Sequence, residues 1–246
     1  LTLKALHLGA MDFIDKSTRG LMDFLGLASE IIAKVKAIAH NKPKKLIYKP
    51  SVYTEYTPQG IVEVVAIGAS TGGPPALEFI LQKFPKNISF GVLIVQHMPI
   101  GFTATLAERL DSICSIRVKE AEDRDAIEPG LALIARSGIH MKVRKGKRSV
   151  RLDEEPWDLI HRPSVDVLFE SVAEVFGDRS LGVLLTGMGS DGARGMKRIK
   201  ERGGMTLAQD EFSSVIFGMP KVAISSGVVD KVVPLTDIAQ EIMKNG

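Results

Sequence analysis

The sequence predicts an α/β protein, with a doubly wound, mostly parallel sheet, helices on both faces and an antiparallel β-hairpin excursion. Three observations predict it. Residues 61–69 (IVEVVAIGA) and 91–96 (GVLIVQ) are continuous apolar runs rich in Val and Ile, the mark of strands buried on both faces. Each run is followed by a turn and then by a stretch whose apolar residues recur at helical spacing. The same strand and helix rhythm returns after Ser164.

The elements follow in order. Gly60 bounds the first run and Ser70-Thr71-Gly72-Gly73 ends it. Pro74 and Pro75 then open a helix through Ala76, Leu77, Ile80, Leu81 and Phe84, which Pro85 stops. The second run leads through His97-Met98-Pro99 into an amphipathic helix over 102–110. Residues 116–121 and 131–135 read as strands, and 141–143 alternates with 150–152 as a hairpin should. A helix from Val165 to Phe176 precedes a strand at 181–185, and Gly187-Met188-Gly189-Ser190-Asp191-Gly192 follows that strand. A helix over 193–202, a strand at 205–208, a short helix near 220–225, a strand at 229–233 and a final helix complete the series.

Residues 1–39 fall outside this rhythm. The polar, lysine-rich stretch 40–60 separates them from the first buried strand and reads as a linker, which leaves 61–246 as the main domain. Upstream, Leu21, Phe24, Leu25, Ala28, Ile31, Ile32, Val35 and Ile38 form one helical stripe, preceded by a short apolar strand-like piece at Met11–Ile14. One helix and one strand cannot make a domain, and the chain starts at Leu1. The expectation is therefore the tail of a larger N-terminal domain.

Composition excludes several classes. No run approaches the ~20 apolar residues of a membrane helix, and the first residues do not form a cleavable leader, so membrane insertion and secretion are not expected. Cys114 is the single cysteine, which rules out an internal disulfide and suits a cytoplasmic address. With 32 basic and 29 acidic residues the net charge of +3 gives no field that argues for nucleic acid. The basic turn from Lys142 to Arg151 has no interleaved aromatic residues and reads as a solvated loop.

The chemistry starts at Gly68-Ala69-Ser70-Thr71-Gly72-Gly73, a serine on a strand-to-helix turn with the G-x-S-x-G spacing of a nucleophile elbow. Alone, this segment is open to three readings: a nucleophile, a helix-capping serine, or a phosphate-cradling glycine loop. Two more residues fall at strand ends on the same rim, where open α/β sheets place their sites. His97 follows the second strand and suits a general base, and Asp191 follows the 181–185 strand and suits the carboxylate that orients it. The backbone N–H groups of Thr71 and Met188 are candidates to hold an oxyanion. His7, His40, His140 and His161 make no zinc-type ligand spacing, so no metal is assigned, and no cofactor is expected. A dinucleotide site is disfavoured, because G-x-G-x-x-G is missing and His97 occupies the place of the ribose-binding acid.

These residues stand in a longer series of motifs: Ile67-Gly68-Ala69-Ser70-Thr71-Gly72-Gly73-Pro74, Gln96-His97-Met98-Pro99, His140-Met141, Pro163-Ser164-Val165-Asp166, Leu185 to Ala193 (LTGMGSDGA), Ala208-Gln209-Asp210-Glu211 and Gly218-Met219-Pro220. In this order they resemble the chemotaxis response-regulator methylesterases, the CheB family, from 62 to about 240. The resemblance implies a serine hydrolase with Ser70, His97 and Asp191 as triad. Its substrates would be glutamyl methyl esters, and some glutamines, of methyl-accepting chemotaxis receptors. It also implies that 1–39 is the end of a receiver domain, with Lys16 as its phosphate-contacting lysine and a chemotaxis histidine kinase as partner of the complete receiver. Ser17 and Arg136 stand where the family usually has proline. A non-catalytic signalling adaptor is the alternative from another class.

Overall fold

The computed structural model describes residues 2–14, 24–40 and 60–246. Among them seven strands form one parallel sheet: β1 (Val64–Ala69), β2 (Gly91–Gln96), β3 (Arg117–Glu120), β4 (Leu131–Ile134), β7 (Ser180–Leu184), β8 (Met205–Gln209) and β9 (Lys231–Val233), in the spatial order β3-β4-β2-β1-β7-β8-β9. Between β4 and β7 the chain leaves the sheet as the antiparallel pair β5 (His140–Val143) and β6 (Val150–Asp153). The doubly wound expectation holds, hairpin included.

Side-chain alternation along the strands builds two cores. β1 turns Val65, Ile67 and Ala69 to one face and Val64 and Ala66 to the other, all of them buried. The first face is covered by α3 (Gly73–Leu81), α4 (Phe102–Ile113) and α8 (Leu235–Asn245), through residues such as Leu77, Leu106 and Ile238. The second is covered by α5 (Val165–Phe176), α6 (Ala193–Glu201), α7 (Met219–Ser225) and the hairpin, through Phe169, Ile199 and Met141. Burial on both sides explains why β1, and β2 as far as Val95, are apolar without interruption.

Differences from the sequence reading lie at edges. β1 starts at Val64 and not at Ile61, because the Gly60 and Val62 N–H groups donate to Gly246 O and Asn245 O at the end of α8. Ile61 is consequently exposed. Met11–Ile14 has no regular structure, and a short helix α1 (Thr2–His7) that periodicity did not suggest precedes it. From Phe24 onward the apolar stripe falls on α2 (Phe24–His40), and Leu21 lies outside the described residues. Lys16 and residues 41–59 of the expected linker lie outside the described residues.

Two glycines shape the carboxyl end of β1. Gly72 has φ +80°, a conformation that L side chains adopt at a cost, and it lets the chain turn from β1 into α3. A Cβ at Gly68 would lie 2.3 Å from Val165 Cγ1, so β1 and the start of α5 touch because this residue has no side chain. Gly68→Ala is expected to cost about 1–3 kcal/mol by overpacking, measured by denaturant unfolding, and Val165→Ala in the same chain should return part of that loss.

Candidate active site

β1 stands where the strand order turns, with β2 on one side and β7 on the other, and open α/β sheets bind ligands beyond the carboxyl ends of such strands. Ser70 is the first residue past β1. Its N–H donates to Thr186 O at 3.1 Å, and its carbonyl accepts from Gly73 N–H at 2.8 Å. The His97 N–H donates to Ala69 O at 3.0 Å, so the β1–β2 pairing runs one residue past the strands and delivers Ser70 and His97 side by side. Buried Gln96 ties the two together: its Nε2 donates to Ser70 O at 2.9 Å and to His97 O at 3.0 Å.

The β7 side brings the third group. A Cβ at Gly187 would fall 2.8 Å from Ser70 Cβ and 2.3 Å from Met219 Sδ, so a glycine is required there and the Met188 backbone passes next to the serine. Thr186 anchors this crossing, donating from Oγ1 to Thr71 O at 3.0 Å and from its N–H to Gln209 Oε1 at 2.8 Å. Asp191 then meets His97, whose Nε2 lies 2.9 Å from Asp191 Oδ2. The other imidazole nitrogen, Nδ1, is buried and has no hydrogen-bond partner among the described residues.

Asp191 is also built into the start of α5. Its carboxylate accepts from Val165 N–H at 2.7 Å, Asp166 N–H at 3.0 Å and Ser164 Oγ at 2.8 Å. Burial by itself would raise the pKa of this group and is the largest single influence. The His97 hydrogen bond and charge, together with the Asp166 and Val165 amides, outweigh it and hold the carboxyl well below the usual range. Asp166 returns the arrangement, accepting from Gly192 N–H at 2.9 Å and Gly195 N–H at 2.7 Å at the start of α6. Each carboxylate therefore satisfies the free N–H groups of the other's helix, where the helix dipole favours an anion. Burial, and then Asp191 nearby, push the Asp166 carboxyl up although its own amide bonds oppose that.

Two histidines complete the surroundings. His140 is fully buried, its Nδ1 accepting from Ser164 N–H at 3.1 Å and its Nε2 facing Pro156 O at 3.2 Å. Those partners fix the tautomer with hydrogen on Nε2, and burial lowers its pKa. His161 stacks on His97 with ring centroids 4.1 Å apart and planes 16° from parallel. On the outer side, Thr71 Oγ1 donates to Asp12 Oδ2 at 2.6 Å, Lys34 pairs with Asp12 at 3.0 Å, and the Phe13 and Phe102 rings touch at 4.7 Å.

A serine at one strand end, a histidine at the next and a carboxylate on that histidine form the constellation of serine esterases. The family model for the CheB methylesterase matches residues 65–242. The chain belongs to the CheB methylesterase family. Its relatives include the protein-glutamate methylesterase/protein-glutamine glutaminase of Pyrococcus abyssi, 46% identical over 99% of this chain and 69% of that one. The protein of the same name from Archaeoglobus fulgidus is 43% identical over 99% of this chain and 72% of its own length. Among solved structures, the CheB methylesterase catalytic domain of Thermotoga maritima matches with a TM-score of 0.71 at 40% identity, over 74% of this chain and 98% of that one.

For a member of this family, the residues singled out in the sequence fall in two groups. Ser70, Thr71, His97, Met188 and Asp191 meet on the rim beyond β1, β2 and β7, whereas Lys16 lies outside the described residues. Sequence reasoning gave no site role to Gln96, Ser164, Asp166 and His161. Ser164 and Asp166 had a visible signal, a Ser followed by an acid at the start of an apolar helix. Gln96, a polar residue ending an otherwise apolar strand, had a weaker one. Among the described residues no His, Cys, Asp and Glu cluster is arranged to hold a metal, and no helix is long and apolar enough to cross a membrane.

Proposed function

We propose that this chain hydrolyses glutamyl methyl esters on chemotaxis receptors, releasing methanol, with Ser70 as nucleophile, His97 as base and Asp191 as the group that orients the base. The reading also gives it deamidation of receptor glutamines by the same route, and a cytoplasmic place of action. The observation that carries it is the His97–Asp191 pair at 2.9 Å beside a serine on the adjacent strand end, in a chain of this family.

The steps follow from the atoms. With Nε2 committed to Asp191, the nitrogen left to take the Ser70 proton is Nδ1. Ser70 Oγ attacks the ester carbonyl as its proton moves to Nδ1, and the carbonyl oxygen becomes an oxyanion facing the Thr71 and Met188 N–H groups. Collapse breaks the bond to the methoxy oxygen, which takes the proton from His97 and leaves as methanol. Water repeats the sequence on the acyl-enzyme, giving glutamate and free Ser70. For a glutamine the leaving group is ammonia. Asp191, held ionised against burial by the His97 hydrogen bond and charge and by the Asp166 and Val165 amides, stabilises the imidazolium in both halves.

The same reading takes 1–39 as the end of a receiver domain joined by 40–60 to the hydrolase of 61–246. Lys16 would be the phosphate-contacting lysine, and a histidine kinase the partner of a complete receiver. The Asp12 contact with Thr71 and the Phe13 contact with Phe102 support an N-terminal segment that bears on the site. The test is labelling by a serine-reactive phosphonate alongside methanol release from methylated chemoreceptor cytoplasmic fragments. Stoichiometric label on the Ser70 peptide together with release is expected. Neither label nor release from a folded chain would overturn the reading in favour of an adaptor.

A further inference from the structure

The stack of His161 on His97 takes no part in the proposed proton transfers, and it points to a role. We infer that His161 is a positioning residue: by lying flat on the His97 ring it fixes the plane in which that imidazole exchanges its proton with Ser70. The inference rests on the proposed triad.

A single hydrogen bond, Nε2 to Asp191 at 2.9 Å, ties the imidazole in its own plane, and Nδ1 has no partner among the described residues. One tether at one edge leaves the ring able to swing out of plane about its bond to the chain. Contact on its face stops that swing. His161 supplies such a contact, with centroids 4.1 Å apart and an angle of 16°. The distance between nucleophile and base is the most demanding dimension of the site, since an error of about 1 Å in such geometry costs on the order of 10²-fold in rate.

His161 is itself held. It sits in the segment between β6 and α5, where Gly138 N–H donates to Arg162 O at 2.9 Å, Arg162 Nη2 donates to Trp157 O at 3.1 Å, and Pro156 O meets buried His140 at 3.2 Å. Further along the same segment, Ser164 Oγ donates to Asp191 at 2.8 Å. One short piece of chain thus fixes both partners of the His97–Asp191 pair, the ring by its face and the carboxylate by its oxygen.

The charges around His161 suit this role. The titratable groups that face it are His97 and Asp191, and the neighbouring Arg162 guanidinium is turned to the Trp157 ring at 5.2 Å. Burial first, and then His97, lower its pKa to about 4 against the opposite pull of Asp191. At neutral pH the stacked ring is uncharged and does not oppose the proton that His97 takes from the serine.

The experiment compares wild type, His161→Ala and His161→Phe as full chains, with Ser70→Ala and His97→Ala as controls. It reads kcat and KM for methanol release from methylated receptor fragments, and nitrogen-15 spectra of the His97 ring. His161→Ala should lose about 10- to 100-fold in kcat with little change in KM, and its His97 signals should broaden as the ring moves. His161→Phe, which restores a flat neutral face and the buried volume, should recover kcat to within about threefold and the wild-type His97 spectrum. Two results would overturn the inference: wild-type kcat and an unchanged His97 spectrum in His161→Ala, or a His161→Phe variant as inactive as His97→Ala, which would make His161 a proton carrier. If Ser70→Ala retained activity, the triad reading would fail instead. The His97 spectra need no turnover and would still decide whether the stack holds the ring.

Discussion

Ser70→Ala should reduce methanol release by on the order of 10⁴- to 10⁶-fold and leave thermal unfolding where it was. The size follows from removing the oxygen proposed to form the covalent bond. His97, Asp191 and the oxyanion N–H groups then have nothing to activate, and what remains is the rate that binding and the N–H groups give to water. The unchanged stability follows from how Ser70 is held, since its structural hydrogen bonds run through its N–H to Thr186 O and its carbonyl to Gly73 and Gln96. Alanine keeps both. Methanol release and melting temperature measured on one preparation separate the two effects, and a variant with wild-type turnover would remove Ser70 from the mechanism.

Asp191→Asn should differ in kind, losing both rate and stability. An amide that turns its N–H₂ toward His97 forces the imidazole into the other tautomer, with hydrogen on Nδ1, where the lone pair for the serine proton ought to be. A loss of about 10⁴-fold in kcat is expected from that change alone. The same substitution leaves Ser164 Oγ and the N–H groups of Val165 and Asp166 with one oxygen where they had two and with a neutral group where they had an anion. Hydrogen bonds to charged groups contribute roughly 1.5–3 kcal/mol each, so losing one or two should lower stability by a few kcal/mol. Denaturant unfolding of Asp191→Asn beside Ser70→Ala would show the contrast, and equal stabilities would mean that the Asp191 carboxylate does not fasten the start of α5.

How much of this was legible in the sequence depended on the range of the interaction. β1 and β2 were visible because burial on both faces leaves a nearly continuous apolar run, and the turn after β1 was visible because Gly72, at φ +80°, is demanded by local backbone geometry. Ser70, His97 and Asp191 could be placed on one rim because the α/β rhythm says where strands end. The expected start of β1 falls too early, since Ile61 and Val62 are as apolar as the strand itself and only the pairing of Gly60 and Val62 with the end of α8 sets this stretch apart. His161 was passed over for a similar reason. It stands far along the chain from His97, and nothing in the spacing says that the segment after β6 folds back over that ring. Contacts made by packing across the molecule leave no periodic trace.

The exchange of carboxylates between α5 and α6 has a wider consequence. Most enzymes can be thought of as a scaffold with a separately adjustable site mounted on it. Here Asp191, proposed as part of the chemistry, is also a fastening of the scaffold, and its counterpart Asp166 fastens the loop that carries it. Fraying either helix start would release the neighbouring one, so the two belong to one cooperative unit that opens as a whole or not at all. Asp191 therefore has little room to change without loosening the helix start that it fastens.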